Sequence, residues 1–197
     1  MREYPHLHAR ADVTVRLSGA ILPCVPLETG PEVVLLCGVA GVGKTTYAQA
    51  MEARGYTRLS VDEELWTRFG RYGVDYDPSE YEALTSVARQ AIDERLVTLV
   101  AQGHDVVVDS SLWQRSRREE CKRLVELAGG RWRLVYLKAD EALLRERLHR
   151  RAARFDANAA FPVTDDMLER FLRGFEVPSG EGEEVIPWER GLPELRG

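Results

Sequence analysis

The chain has 197 residues, of which 44% are hydrophobic and 30% are charged, and its formal net charge is −5. This length accommodates one well-buried α/β domain with small appendages and excludes two domains of ordinary size. The acidic balance argues against a protein that holds nucleic acid by bulk electrostatics, and leaves only a local basic cleft for such binding.

The cysteines and the hydropathy pattern bear on the cellular compartment. The 3 cysteines are odd in number and lack C-x-x-C spacing, which favours reduced thiols over a disulfide framework or a zinc site. No apolar run approaches the length of a membrane span, and the N-terminal residues are too polar for a signal peptide. We therefore expect a cytoplasmic protein without a membrane partner.

The N-terminal segment, residues 1–32, precedes the first strong strand pattern and is treated as an extension. Val13, Val15 and Leu17 alternate with other residues, and Ser18-Gly19 follows as a turn. This pattern fits either a small hairpin on the edge of the domain or a loosely ordered extension.

A glycine-rich loop follows the apolar run 33–37 and satisfies the pattern G-x-x-x-x-G-K-[ST]. Its glycines let the backbone curl around a polyphosphate with N–H groups pointing inward, and the next helix turns its positive end toward the same anion. Lys44 would reach the β- and γ-phosphates, and the Thr45 hydroxyl would ligate Mg²⁺. The predicted nucleotide-binding residues in this segment are Gly38, Val39, Ala40, Gly41, Val42, Gly43, Lys44, Thr45 and Thr46.

From Glu32 onward, strand and helix patterns alternate, which predicts an α/β fold with a parallel sheet flanked by helices. One helix start is explicit, because Asp77-Pro78-Ser79-Glu80 supplies an N-cap, a proline at the first helical position and a capping-box glutamate. With the phosphate loop, this order predicts a P-loop NTPase domain at 33–178 and a C-terminal tail at 179–197. The predicted strands are 33–37, 57–61, 105–108 and 132–137, with a further short strand considered at 185–186.

Two acidic residues directly follow predicted strands, Asp62 after residues 59–61 and Asp109 after residues 106–108. Ligands bind at the carboxyl ends of the strands in open parallel sheets, so both acids should line the crevice of the phosphate loop. Asp109, at the end of a Walker-B-like strand, would hold Mg²⁺ directly or through water. Asp62 is the candidate general base for an attacking hydroxyl. The alternative role for each is the N-cap of a helix.

An arginine-rich tract ends the helix that Asp140 is expected to cap. Arg147 and Arg151 lie one helical turn apart, so they share a face. This arrangement suits a helical lid at about 147–163 whose arginines close over the transferring phosphates. The alternative is a solvated helix face on which the arginines pair with nearby glutamates. The tract comprises Arg145, Arg147, Arg150, Arg151 and Arg154.

The succession of the phosphate loop, Asp62, "VVVDSSLWQRSRRE" and "LLRERLHRR" resembles a family of P-loop kinases. That family includes the 5′-kinase domain of bacteriophage polynucleotide kinase and, more loosely, chloramphenicol phosphotransferase and zeta toxins. The resemblance covers residues 33–178 and implies ATP as the phosphoryl donor. It also implies that Asp62 is the general base, that Arg147 and Arg151 are lid arginines, and that Asp109 is the family's second acid.

Arg115 and Arg118 match arginines that follow the second acid of the family, but two positions depart from its pattern. Leu65 stands where polynucleotide kinases carry the arginine that binds the acceptor phosphate, and Ser110-Ser111-Leu112 lacks the usual asparagine. Both departures weaken the nucleic-acid interpretation more than the kinase interpretation. The acceptor site is expected among aromatic and cationic residues near the two acids, namely Trp66, Arg68, Arg71, Tyr72, Tyr76 and Trp113.

These observations predict an ATP-dependent phosphotransferase that moves the γ-phosphoryl group to a hydroxyl of a small molecule such as a sugar, a nucleoside or an antibiotic. Two alternatives remain. One is a kinase of polynucleotide 5′-hydroxyls, and the other is an ATPase or switch module that works through a protein partner. The residues predicted to act in catalysis are Lys44, Asp62, Arg147 and Arg151.

Overall fold

In the computed structural model of this protein, which describes residues 30–151 and 163–187, the strands form a single parallel sheet. The strands are β1 (Glu32–Cys37), β2 (Thr57–Ser60), β3 (Val106–Asp109), β4 (Arg131–Lys138) and β5 (Glu183–Pro187). The helices are α1 (Lys44–Glu52), α2 (Val61–Phe69), α3 (Tyr81–Ala101), α4 (Arg115–Leu127), α5 (Glu141–Arg151) and α6 (Asp165–Gly174). The strand order is β2-β3-β1-β4-β5, and every pairing is parallel. The predicted α/β fold is therefore confirmed.

Strand β1 lies in the middle of the sheet and is apolar along most of its length because both of its faces are covered. Val33, Leu35 and Cys37 face the helices α3 and α4, whereas Val34 and Leu36 face α1, α5 and α6. All five residues are fully buried. The phosphate loop therefore leaves the sheet from a central strand that is buried on both faces.

Local signals in the sequence place the beginnings of the helices around the crevice. The Ser60 Oγ accepts a hydrogen bond from the backbone N–H of Glu63 (3.3 Å) and so caps α2 directly after β2. Asp62 consequently lies in the first turn of α2, where a negative charge suits the helix dipole. The predicted capping box at Asp77 is also confirmed, although it opens a 3₁₀ turn (Pro78–Glu80) that runs into α3.

The chain beyond residue 178 contributes to the sheet. Strand β5 pairs with β4 over five residue pairs, so the strand considered at 185–186 is present and longer than expected. It lies within the segment that the sequence pattern set apart as a tail. Three stretches lie outside the described residues. They are residues 1–29 of the segment expected to form a hairpin or a loosely ordered extension, most of the predicted lid (152–162), and the last residues, 188–197.

Among the described residues, none of the helices combines the length and the apolar character that crossing a bilayer requires.

A buried ionic cluster ties the chain beyond residue 178 to the body of the protein. The Arg118 guanidinium, which is 0% exposed, donates two hydrogen bonds of 2.7 Å to the Glu181 carboxylate. It also donates one to the Leu112 carbonyl (2.9 Å), and the Lys122 Nζ donates to the Glu181 carbonyl (2.7 Å). Such a cluster is strongly destabilised when one member is removed, because the remaining charge is left buried.

Replacing Glu181 with alanine should therefore lower the free energy of unfolding by about 3–5 kcal/mol, because Arg118 loses its partner in the interior. The control is Glu184→Ala, which removes the half-exposed pair with Arg133 (3.0 Å). This control should lower it by only about 0–1 kcal/mol. Urea denaturation measures both values, and equal losses would contradict the structural importance of the buried pair.

The buried pair of Arg118 and Glu181 should also affect how the free energy of unfolding depends on pH. The hydrogen bonds from Arg118 hold the pKa of Glu181 below its ordinary value. A lowered folded-state pKa means that the pair stabilises the fold above the ordinary glutamate range and that this contribution is lost as the pH falls through the lowered value. When the pH is lowered, the free energy of unfolding of Glu181→Gln should accordingly fall by less than that of the parent protein.

Candidate active site

The phosphate loop has a backbone conformation that only glycine adopts without strain. The φ angles of Gly38, Gly41 and Gly43 are 150°, 83° and 110°. A Cβ on Gly38 would lie 2.7 Å from the Leu137 carbonyl oxygen, so the loop is also closely enclosed. Helix α1 starts at Lys44 directly after Gly43, which leaves its first N–H groups without a side-chain cap and suited to an anion. The residues thus fit a polyphosphate.

Two cationic side chains lie on the carbonyl groups of this loop. The Lys44 Nζ donates to the carbonyl oxygens of Gly38 (2.9 Å) and Val39 (3.0 Å). The Arg147 guanidinium of α5 donates to the carbonyl oxygen of Val42 (2.9 Å), and partial burial lowers its pKa. The structure therefore brings Arg147, which is 103 positions after Lys44 in the chain, to the same loop.

Direct packing of α5 on the loop explains this proximity. A Cβ on Gly41 would lie 3.0 Å from the Leu148 Cγ and 3.3 Å from the Leu144 carbonyl oxygen. The first part of the predicted lid is therefore a helix docked on the phosphate loop. Arg151 is the last residue of α5, and its side chain is outside the described part of the chain.

Asp62 is exposed in the first turn of α2, and its carboxylate acts electrostatically on two tyrosines. Burial, followed by the charge of Asp62, raises the pKa of Tyr81 to about 12. Burial, Tyr72 and Asp62 together raise the pKa of Tyr76. The N-cap alternative for Asp62 is wrong, because Ser60 caps this helix.

Asp109 is buried at the end of β3 and is held by an arginine that the sequence analysis missed. The Asp109 Oδ2 accepts hydrogen bonds from the Arg58 Nε (3.1 Å) and Nη2 (2.7 Å), and the Arg58 Nη1 reaches Glu63 Oε1 (2.7 Å). Strand register explains the pair. Arg58 of β2 lies beside Val107 of β3, and Asp109, which is two residues further along β3, lies on the same face of the sheet. The N-cap of the next helix, α4, is Gln114, so Asp109 is not a cap either.

The Thr45 hydroxyl and the Asp109 carboxylate offer oxygen donors, which are the ligands that Mg²⁺ prefers. Arg58 engages only Oδ2 of Asp109, so Oδ1 is the carboxylate oxygen that remains for an ion or its water shell. The described residues contain no group of three or more His, Cys, Asp or Glu that could enclose a metal by themselves. Magnesium in phosphoryl-transfer sites is bound largely by substrate phosphates, so this sparse set fits it.

The residues expected at the acceptor site are distributed over two places. Tyr72 makes edge-to-face contacts with Tyr76 (ring centroids 6.1 Å apart) and with Tyr81 (5.6 Å), a residue that was not predicted. These three side chains, the tyrosine cluster, lie near Asp62. Trp113 instead lies against the end of α6, since a Cβ on Gly174 would be 3.9 Å from its ring.

The cationic members of the expected acceptor set are engaged in ion pairs. Arg68 pairs with Glu64, and Arg71 pairs with Asp75 (2.8 Å). Trp66 is half-buried in α2. Arg118, which the family resemblance had matched to an arginine after the second acid, is part of the buried cluster with Glu181.

The sheet order, the glycine loop and the lysine at the start of α1 define a P-loop NTPase with the fold of P-loop kinases. The chain belongs to the AAA-domain family, whose model matches residues 33–178.

The chain is 31% identical over 116 residues to a UPF0200 protein of Pyrobaculum aerophilum. That match covers 59% of the chain and 64% of the relative, so the chain spans less than two thirds of the relative's length.

Two solved structures share the fold. A protein of Chloroflexus aurantiacus described as a candidate kinase aligns with a TM-score of 0.65 and 21% identity over 86% of this chain and 90% of its own. A gluconokinase from Sinorhizobium meliloti aligns with a TM-score of 0.54 and 23% identity over 80% and 83% of the two chains. At these identities the likeness establishes the fold.

Asp62→Asn should lower the pKa of Tyr81 from about 12, because the nearby negative charge disfavours the phenolate. Titration of tyrosine ultraviolet absorbance, compared with the same titration of Tyr81→Phe, assigns the change. Glu64→Gln on the same helix is the control and should leave the pKa of Tyr81 unchanged. An unchanged titration in Asp62→Asn would mean that Asp62 does not face the tyrosine cluster.

Gly41→Ala should weaken nucleotide binding by about tenfold or more, which corresponds to about 1.4 kcal/mol. The new methyl group would strain the loop and press on Leu148 and Leu144. Gly55→Ala is the matched control, since Gly55 also has a positive φ (101°) but a Cβ there would have no neighbouring atom within 4 Å. Calorimetric titration with ATP measures both affinities, and an equal change in both variants would refute the packing argument.

Proposed function

We propose that this protein is an ATP-dependent kinase that transfers the γ-phosphoryl group to a hydroxyl of a small molecule. The observation that carries this proposal is the exposed carboxylate of Asp62 in the first turn of α2, immediately after a strand of the sheet that bears the phosphate loop. In a parallel sheet, strand ends on this side surround the ligand crevice. A binding module that only senses nucleotide has no need of a base at that position.

The proposed reaction requires four roles. The acceptor hydroxyl attacks the γ-phosphorus while Asp62 takes its proton, the bond between the γ-phosphorus and the bridging oxygen breaks, and ADP leaves. The backbone N–H groups of residues 38–46 and the Lys44 ammonium bind the phosphates. Arg147 and Arg151 neutralise the charge that develops on the transferred group. Thr45 and Asp109 would hold Mg²⁺, which supplies neutralisation of the β- and γ-phosphates.

The positions of two cations support these roles. Lys44 and Arg147 already lie on the carbonyl oxygens of the loop, at 2.9–3.0 Å. A bound triphosphate offers them oxygens of higher negative charge, to which charged donors bond more strongly than to neutral carbonyls. We therefore expect both side chains to exchange a loop carbonyl for a phosphate oxygen when the nucleotide binds.

Asp62→Asn should reduce phosphoryl transfer by about 10²–10⁴-fold, because the acceptor hydroxyl loses its base. The affinity for ATP should stay within error of the parent protein. Labelled ATP with a panel of sugars, nucleosides, hydroxylated antibiotics and oligonucleotides measures transfer, and Glu64→Gln is the control on the same helix. Equal losses of transfer and ATP affinity would remove Asp62 from the role of base. Hydrolysis to water that no acceptor changes would favour an ATPase.

A further inference from the structure

The tyrosine cluster provides a partly exposed aromatic surface beside the proposed base. Tyr72, Tyr76 and Tyr81 are each half-buried, and Tyr76 and Tyr81 also pack against the hydrophobic core. The Tyr72 ring is nearly perpendicular to the other two, at 83° and 86°. Aromatic rings in such a mutually fixed arrangement offer faces and edges against which another ring packs.

The charges around this cluster are negative overall. The stretch from residue 58 to residue 81 contains three arginines, no lysine and six acidic residues. Each of the three arginines is engaged with a carboxylate of this region: Arg58 with Asp109 and Glu63, Arg68 with Glu64, and Arg71 with Asp75.

An anionic acceptor that approaches one of these arginines also approaches the carboxylate with which that arginine is paired. Arg71 is the most exposed of the three, and both its side chain and its backbone N–H donate to Asp75 (2.8 Å each). These bonds lower the pKa of Asp75 to about 2, so the carboxylate stays charged at neutral pH. A phosphate placed at Arg71 would therefore meet the Asp75 carboxylate as well as the guanidinium, and one near Arg68 would also meet Glu64, so neither arginine offers it a net positive charge.

We propose that the acceptor is an uncharged, ring-bearing alcohol that packs on the tyrosine cluster with its hydroxyl group at Asp62. This inference rests on the proposed kinase function and specifies its substrate class. The ring supplies the apolar contact, and the hydroxyl supplies the proton that Asp62 accepts. Acceptors that already carry a phosphate, including polynucleotides, are disfavoured by the paired arginines and the surrounding carboxylates.

The test uses matched acceptors that differ by one phosphate group. A nucleoside and its 3′-monophosphate, a hexose and its phosphate, an aryl-substituted alcohol and a single-stranded oligonucleotide are each incubated with the full chain and labelled ATP. The uncharged member of a pair should have a kcat/KM at least about tenfold higher than the phosphorylated member. Tyr76→Leu should raise KM for the uncharged acceptor by about five- to tenfold and leave KM for ATP unchanged.

A charge variant separates recognition from folding. Asp75→Asn removes the repulsion at Arg71 with little change of shape, so it should narrow the preference for uncharged acceptors. Arg89 of α3 is a further cation that acts electrostatically on Tyr81. Its variant Arg89→Gln should leave the preference as it is.

The outcomes distinguish the substrate class from the function itself. Efficient labelling of phosphorylated acceptors or oligonucleotides, or a preference for them that disappears in Arg89→Gln, overturns the uncharged-acceptor inference while the kinase function stands. If no member of the panel is labelled while ATP binds, the proposed kinase function fails, and the inference that rests on it fails too.

Discussion

The glycine backbone of the phosphate loop is the constraint on which the rest of the site depends. Gly38 is enclosed by the Leu137 carbonyl of β4, and its N–H donates to the Ser111 carbonyl (3.1 Å) after β3. Gly41 is covered by Leu148 of α5. Because side chains have no room at these positions, three separate parts of the chain approach the loop closely. The placement of Arg147 on the Val42 carbonyl follows from the close approach of α5.

Charge is divided between the two sides of the crevice. On the nucleotide side, Lys44 and Arg147 donate to neutral carbonyl groups, which phosphate oxygens can replace. On the side of α2, arginines are opposed by carboxylates, and Asp62 adds an exposed negative charge. The carboxylates on the side of α2 would repel a triphosphate. In the proposed reaction, this division of charge would keep ATP at the phosphate loop and leave the side of α2 to the acceptor.

Residues after 178, which lie beyond the family match, help to hold the site in place. Glu181 neutralises the fully buried Arg118, and Arg118 in turn donates to the carbonyl of Leu112, whose φ of 39° is unusual for a residue with a side chain. The Cys37 thiol, at the end of β1, approaches the same carbonyl (3.4 Å). The chain after β3, which contacts Gly38, is therefore held from the C-terminal side. Its unusual conformation persists because the surrounding bonds determine it.

The sequence by itself determined the phosphate loop, the alternation of strands and helices, and the positions of Asp62 and Asp109 at strand ends. These features depend on local spacing, on glycine conformation and on apolar runs, all of which a sequence displays directly. Only the tertiary structure decided that Arg58 holds Asp109, that Arg118 is buried with Glu181, and that Tyr81 joins Tyr72 and Tyr76. Strand register and chain packing bring the two ion pairs together over 51 and 63 positions of the chain, and neither leaves a pattern in the local sequence. The three tyrosines are close in sequence, but their ring contacts depend on how the loop after α2 folds back onto the start of α3.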